Sequence, residues 1–169
     1  MQILKFIILI MIFLLSAFIG ILISKKYSSR VLELKELKNA LNILKTKIKF
    51  TYEPLPEIFK QMSENLQKNI SAIFYNASIN MKNMPTKEAW ETSISSATLN
   101  LNNEDISILK NLGKLLGKTD VEGQVSQIEL TSSFIDMQIK KAEDERRKNE
   151  KMYKTLGTVI GLAMVIILM

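Results

Sequence analysis

Two apolar runs bracket a middle region in which hydrophobic positions recur every three or four residues. The first, Phe6 to Ser24, is nineteen residues without a charge. As a helix it is about 28 Å long, close to the hydrocarbon thickness of a bilayer. It is longer than the apolar part of a signal peptide and ends without a small-x-small cleavage site, so it reads as a retained anchor. The second run, Thr155 to Met169, is fifteen residues, or about 22 Å of helix. It comes nearer to a full span when Met152 and Tyr153 join it and Lys154 snorkels to the interface.

Between the runs there is no β-type alternation, and one helical period follows another. Leu34, Leu37, Leu41, Leu44 and Ile48 keep a 3-4-3-4 spacing, the seam of a first helix. Pro54 and Pro56 end it. Leu55, Ile58, Phe59, Met62 and Leu66 mark a second helix. Ile70, Ile73, Phe74, Ala77, Met81 and Met84 mark a third, which Pro85 stops. Thr86 is placed to cap a fourth, whose apolar face carries Trp90, Ile94, Ala97 and Leu101. Leu109, Leu112 and Leu116 form a fifth. Val121, Val125, Ile128, Ser132, Ile135, Ile139 and Ala142 form a sixth, which can run on into the second apolar segment. The pattern predicts an all-α protein: a six-helix cytoplasmic bundle (25–154) flanked by an N-terminal (1–24) and a C-terminal (155–169) transmembrane helix. Trp90 falls to the core.

The stretch LGKLLGKTDVEGQVSQI, residues 112–128, interrupts this pattern with glycines and polar residues. It lacks the strand and the glycine spacing of a phosphate-binding loop. It reads as a corner between two helices. Gly117 suits a left-handed residue after the fifth helix. Thr119 and Glu122 have the spacing of a capping box, and Asp120 puts negative charge in the first turn of the sixth.

Charge sets the orientation. Lys25, Lys26 and Arg30 follow the first run, and Arg146, Arg147, Lys148, Lys151 and Lys154 precede the second. The positive-inside rule places the region between them in the cytoplasm and both termini on the far side. The net charge of +6 comes from 23 bases and 17 acids that are interleaved, not gathered on one face, so no nucleic-acid partner is expected. The chain has no His and no Cys, which removes thiol chemistry, disulfides and the usual zinc ligand sets. Glu143, Asp144 and Glu145 are consecutive and point to different sides of a helix, so they read as a solvated face and not as metal ligands. No convergent catalytic set is present. The expectation is a protein without cofactor or metal that is not an enzyme.

Several stretches resemble the stage III sporulation protein AB family of endospore-forming bacteria. They are R…L..LK.AL..L…I.F…PLPEIF (30–59), EAWETSI (88–94), LGKLLGKTDVEGQ (112–124) and EKMYKTLGTVIGLAMVIILM (150–169). Lys47 stands where that family often has an acid. The family is similar to the inner-membrane platform protein of type II secretion and type IV pilus systems, whose domains are six-helix bundles. The resemblance implies a membrane platform or adaptor in the mother-cell membrane facing the forespore. Its partners would be the secretion-type hexameric ATPase of the same operon and other channel membrane proteins, with a homo-oligomer also open. Two other readings share some of these features: a generic type II secretion or type IV pilus platform, and a membrane-tethered coiled-coil scaffold.

A platform of this kind needs an exposed polar contact. The candidates are Lys118, Asp120 and Gln124 at the corner, and the surface around Glu88 and Glu91 in the fourth helix. In the membrane, Ser16-x-x-x-Gly20 and Gly157-x-x-x-Gly161 both have the small-xxx-small spacing that lets helix backbones approach closely. Their matching depths predict that the two spans meet there.

Overall fold

The computed structural model describes residues 2–168. It has six helices in the order α1 (Gln2–Phe50), α2 (Leu55–Ser63), α3 (Lys68–Asn80), α4 (Thr86–Ser96), α5 (Asn103–Leu112) and α6 (Val121–Leu168), and no strand among the described residues. The first apolar run is continuous with the first helix of the bundle, and the second with the sixth, as the pattern allows. Each apolar run is one part of a helix, α1 or α6, of 49 or 48 residues. Both contain an 18-residue window apolar enough to cross a membrane, and only 11% of each window is buried. A core helix of a water-soluble protein would show the reverse.

The chain divides into two compact units. One comprises the chain up to Val31 and from Lys141 onward; the other is Leu32–Lys140. α1 and α6 contribute to both.

In the Leu32–Lys140 unit, the seam residues Leu34, Leu37, Leu41, Leu44 and Ile48 of α1 are buried, as are Ile128, Ile135 and Ile139 of α6. Lys38 and Lys45 of α1 pair with Asp136 and Glu129 of α6 at 2.5 and 3.4 Å, so the two helices run antiparallel here. These ion pairs are half-exposed and worth at most about 1 kcal/mol each; burial of the seam supplies most of the association. Glu33 is a buried carboxylate on α1. It accepts hydrogen bonds from the backbone N–H of Asn100 at 2.7 Å and from the side-chain amides of Asn100 and Asn69 at 2.8 and 3.3 Å. Charge-assisted bonds of this sort offset its desolvation and tie the α4–α5 loop and the start of α3 to α1. Lys47 donates to Gln61 of α2 at 2.5 Å.

The short helices pack around one aromatic cluster. Phe59, Phe74 and Trp90 are all fully buried, with ring centroids 5.1 to 5.6 Å apart in edge-on or tilted arrangements. Trp90 Nε1 donates to the carbonyl of Leu109 at 2.6 Å, which satisfies the one polar group that its burial would orphan.

Several helix ends differ from the sequence expectation. α3 stops at Asn80, and Met81–Met84 continue as hydrogen-bonded turns. α4 stops at Ser96, because Ala97 is extended with ψ 139°, so Leu101 lies outside it. Thr86 is not its cap: Pro85 holds the extended residue before the helix, and Thr86 is already helical. α5 stops at Leu112, before Leu116, which is buried from a run of turns instead. At its start Asn102 and Asp105 form a full capping box, each side chain accepting from the other's backbone N–H at 2.8 and 3.0 Å.

The residue that follows α5 is fixed as glycine by packing. A Cβ on Gly113 would lie 2.6 Å from Trp90 Cδ1, too close for any side chain. Gly113→Ala should therefore displace the Trp90 ring and destabilise the protein by about 1–3 kcal/mol. Trp90 is the only tryptophan, so denaturant titration of its fluorescence reads this core directly. An unchanged midpoint and spectrum would show that the ring has room to spare.

Candidate functional site: the helix corner and the paired membrane segments

The corner at 113–124 is built from its own backbone demands. Gly117 has φ +70°, a conformation that disfavours a Cβ. A Cβ there would also come within 3.1 Å of Leu55 Cδ1 and 3.3 Å of Thr86 Oγ1. The corner thus meets the first residues of α2 and α4, at the end of the bundle where α1 finishes and α6 begins.

The cap of α6 is Asp120, not Thr119. Asp120 Oδ1 accepts from the N–H of Gly123 at 2.9 Å, and its carbonyl accepts from Gln124 N–H at 3.1 Å. The helix begins one residue later than a Thr119 cap requires. Thr119 turns its hydroxyl back to the Leu115 carbonyl at 3.4 Å. Glu122 then occupies the second helical position, out of reach of the reciprocal bond of a capping box. Gln124 is also committed to the corner. Its Oε1 accepts from Gly117 N–H and its Nε2 donates to the Thr119 carbonyl, both at 3.0 Å. This side-chain staple closes the turn.

Of the five polar candidates, Lys118 and Glu88 are exposed, and neither side chain has a bonded partner among the described residues. Asp120 is exposed but works as a cap. Gln124 is half-buried in its staple, and Glu91 lies 3.8 Å from Lys87 one turn away. Two aromatics that sequence reasoning passed over stand at the same end, just before Leu55. Phe50 is 67% exposed and Tyr52 is 89% exposed. Tyr52 has φ 53°, the one non-glycine residue in the left-handed region among those described. A bulky residue held there, with its ring in solvent, has no packing reason to be tyrosine. Its only signal in the sequence is the stretch FTYEP between helix and proline.

In the other unit, the two small-xxx-small motifs meet. Ser16 Oγ donates to the Gly157 carbonyl at 2.7 Å. A Cβ on Gly20 would fall 2.6 Å from the Tyr153 carbonyl oxygen, and one on Gly157 would fall 2.9 Å from that of Ser16. Gly161 sits against Phe13 and Ser16, with its Cβ position 3.2 Å from Ser16 Cβ. Backbone-to-backbone approach of this kind lets helices associate where lipid offers no hydrophobic drive. Next to the apolar runs, Tyr27 stacks on Tyr153 with centroids 5.9 Å apart. Burial, then the hydrogen bond with Tyr153, pushes the Tyr27 hydroxyl pKa up. Arg30, buried, pairs with Glu145 at 2.6 Å, and Ser28 donates to Glu150 at 3.1 Å. Hydrogen bonds from Lys154 and Ser28, helped by the charges of Lys154 and Arg146, hold the Glu150 carboxyl below the usual glutamate range. Glu150 accepts from Lys154 at 2.8 Å, and Arg147 pairs with Asp144. No group of acidic residues capable of holding a metal ion occurs among the described residues.

A family model described as stage III sporulation protein AB matches residues 5–169. Stage III sporulation protein AB of Bacillus subtilis (strain 168) is 30% identical over 154 residues, covering 89% of this chain and 90% of that protein. A solved structure of a stage III sporulation protein AB superimposes with a TM-score of 0.66 at 26% identity, covering 71% of this chain and 98% of the other.

Two sets of variants test the site geometry. Asp120→Ala should cost about 0.5–2 kcal/mol through the lost cap, and Gly117→Ala about 1 kcal/mol or more, whereas Thr119→Ala should cost less than either. Equal losses at Thr119 and Asp120 in thermal melts would contradict the assigned cap. The chain has no cysteine, so Ser16→Cys with Gly161→Cys can be introduced cleanly, and the Cβ separation is near that of a disulfide. Oxidation should give a monomer of altered mobility on a non-reducing gel. A disulfide-linked dimer would move the contact to an interface between copies.

Proposed function

The chain belongs to the stage III sporulation protein AB family, and from that premise we propose that it is a membrane platform that docks a cytoplasmic ATPase. The observation that carries the reading is a compact helical unit enclosed, along one chain, between two apolar helices of membrane-spanning length. A water-facing domain tethered at both its ends is suited to receive a soluble motor and hold it at a membrane. The partner is the secretion-type hexameric ATPase of the same operon. The membrane is that of the mother cell facing the forespore, with residues 25–154 in the cytoplasm. The protein works by binding, without a catalytic centre of its own. A coiled-coil scaffold is disfavoured, since α2 to α5 are only 9 to 13 residues long and sustain no heptads.

The docking surface is the end of the bundle where α1 finishes and α6 begins. It offers Lys118 and Glu88 as charges and Phe50 and Tyr52 as exposed rings, a mixture suited to an interface with an aromatic anchor. Asp120 and Gln124 shape this surface through the corner, and Glu91 lies at its margin.

Tyr52→Gly separates docking from folding. Glycine takes φ 53° without strain, so stability should stay within about 1 kcal/mol of the parent. Affinity for the ATPase, measured with the full chain in detergent or nanodiscs, should fall roughly five- to thirtyfold. Lys118→Glu should weaken it as well. Normal binding by both folded variants would place the docking surface elsewhere.

A further inference from the structure

Where α6 reaches its apolar run, Arg146, Arg147, Glu150, Lys151, Lys154 and Thr155 line a cleft of about 330 Å³. Arg147, Lys151 and Lys154 follow i, i+4, i+7 spacing, so they form one stripe about 10 Å long that ends beside Thr155, the first residue of the run. Part of this charge is already neutralised. Glu150 takes Lys154 at 2.8 Å and Arg146 at 3.7 Å, and Asp144 takes Arg147. Lys151 has no hydrogen-bond or ion-pair partner among the described residues. Four cations against two carboxylates leave two positive charges, concentrated on a helix face at the edge of an apolar segment.

We propose that this cleft is a headgroup site for an anionic phospholipid. The chemistry it recognises is a phosphodiester with a further negative charge. Lysine and arginine supply it as point-charge and forked donors, and the Thr155 hydroxyl adds a neutral donor at the depth where the headgroup gives way to acyl chain. The site is continuous with the membrane segment, so the phospholipid is the phosphate source the fold itself brings to it. A soluble anion would have no need of that depth. Glu150 sets the affinity: it holds Arg146 and Lys154 by ion pairs that a phosphate has to compete for. The inference rests on the apolar helices lying in a bilayer, and is independent of which partner docks on the helical bundle.

The full chain can be reconstituted in phosphatidylcholine nanodiscs carrying a small fraction of spin-labelled phosphatidylglycerol or, for comparison, spin-labelled phosphatidylcholine. The protein should retain the phosphatidylglycerol label preferentially. Lys151→Gln, an exposed change, should lower that preference roughly fivefold. Glu150→Gln should raise it, because Arg146 and Lys154 are released to the headgroup. The opposite signs separate a binding site from general damage, and Lys45→Gln in the other unit should have no effect. Equal retention of the two labels, or a preference untouched by Lys151→Gln, overturns the proposal. Displacement of the label by inorganic phosphate at unchanged ionic strength would identify a free-anion site and overturns it equally.

Discussion

The antiparallel pairing of α1 with α6 is the constraint on which the rest of the structure depends, and two different forces maintain it. Within the apolar segments, which are long and apolar enough to cross a membrane, burying side chains against lipid would gain little. There the pairing rests on Gly20 and Gly157, whose Cα and Cβ positions leave no space for a side chain on either helix. Within the Leu32–Lys140 unit, water drives the association, and the same two helices meet through buried leucines and isoleucines. One sequence therefore uses glycine where the solvent is lipid and large aliphatic residues where it is water. Exchanging the two sets would weaken both contacts.

With α1 and α6 paired, the chain between them has to turn several times in a small space, and its polar groups show how. Glu33 holds a loop and a helix start from one buried carboxylate. Asn102 and Asp105 close the start of α5, and Gln124 staples the corner before α6. No buried side-chain polar atom is left without a hydrogen-bond partner among the described residues. The short helices are anchored by three aromatic rings, and the tryptophan among them is positioned along its Cδ1–Nε1 edge by the Leu109 carbonyl and by Gly113, one turn apart at the end of α5.

The features legible in the sequence were those with a period. The leucine seam, the helix order, the membrane lengths and the two glycine motifs are repeated signals, each carried by several residues. Features carried by one residue were harder to read. Thr119 and Asp120 are both good caps, and choosing between them requires knowing where helical dihedrals begin, a matter of one residue. The N-x-x-D of Asn102 and Asp105 was present in the sequence, yet it lay beyond an α4 that the apolar spacing drew too long. Gly113 looks locally like any glycine near a helix end. Its necessity comes from Trp90, more than twenty residues away, and only the packed core reveals it. Tyr52 had only its place between helix and proline to mark it, because left-handed backbone at tyrosine contradicts its propensity.

These assignments narrow what the corner can do. Gly117, Asp120 and Gln124 are all consumed in holding the turn, so they form its framework. What the framework leaves displayed is Lys118 on the corner, Glu88 on the helix it abuts, and the exposed rings of Phe50 and Tyr52. A strained, exposed tyrosine costs stability that glycine at the same position would not. Folding alone gives no reason to keep it, and a rigid aromatic presented by a fixed turn is the feature that loses least entropy when another protein covers it.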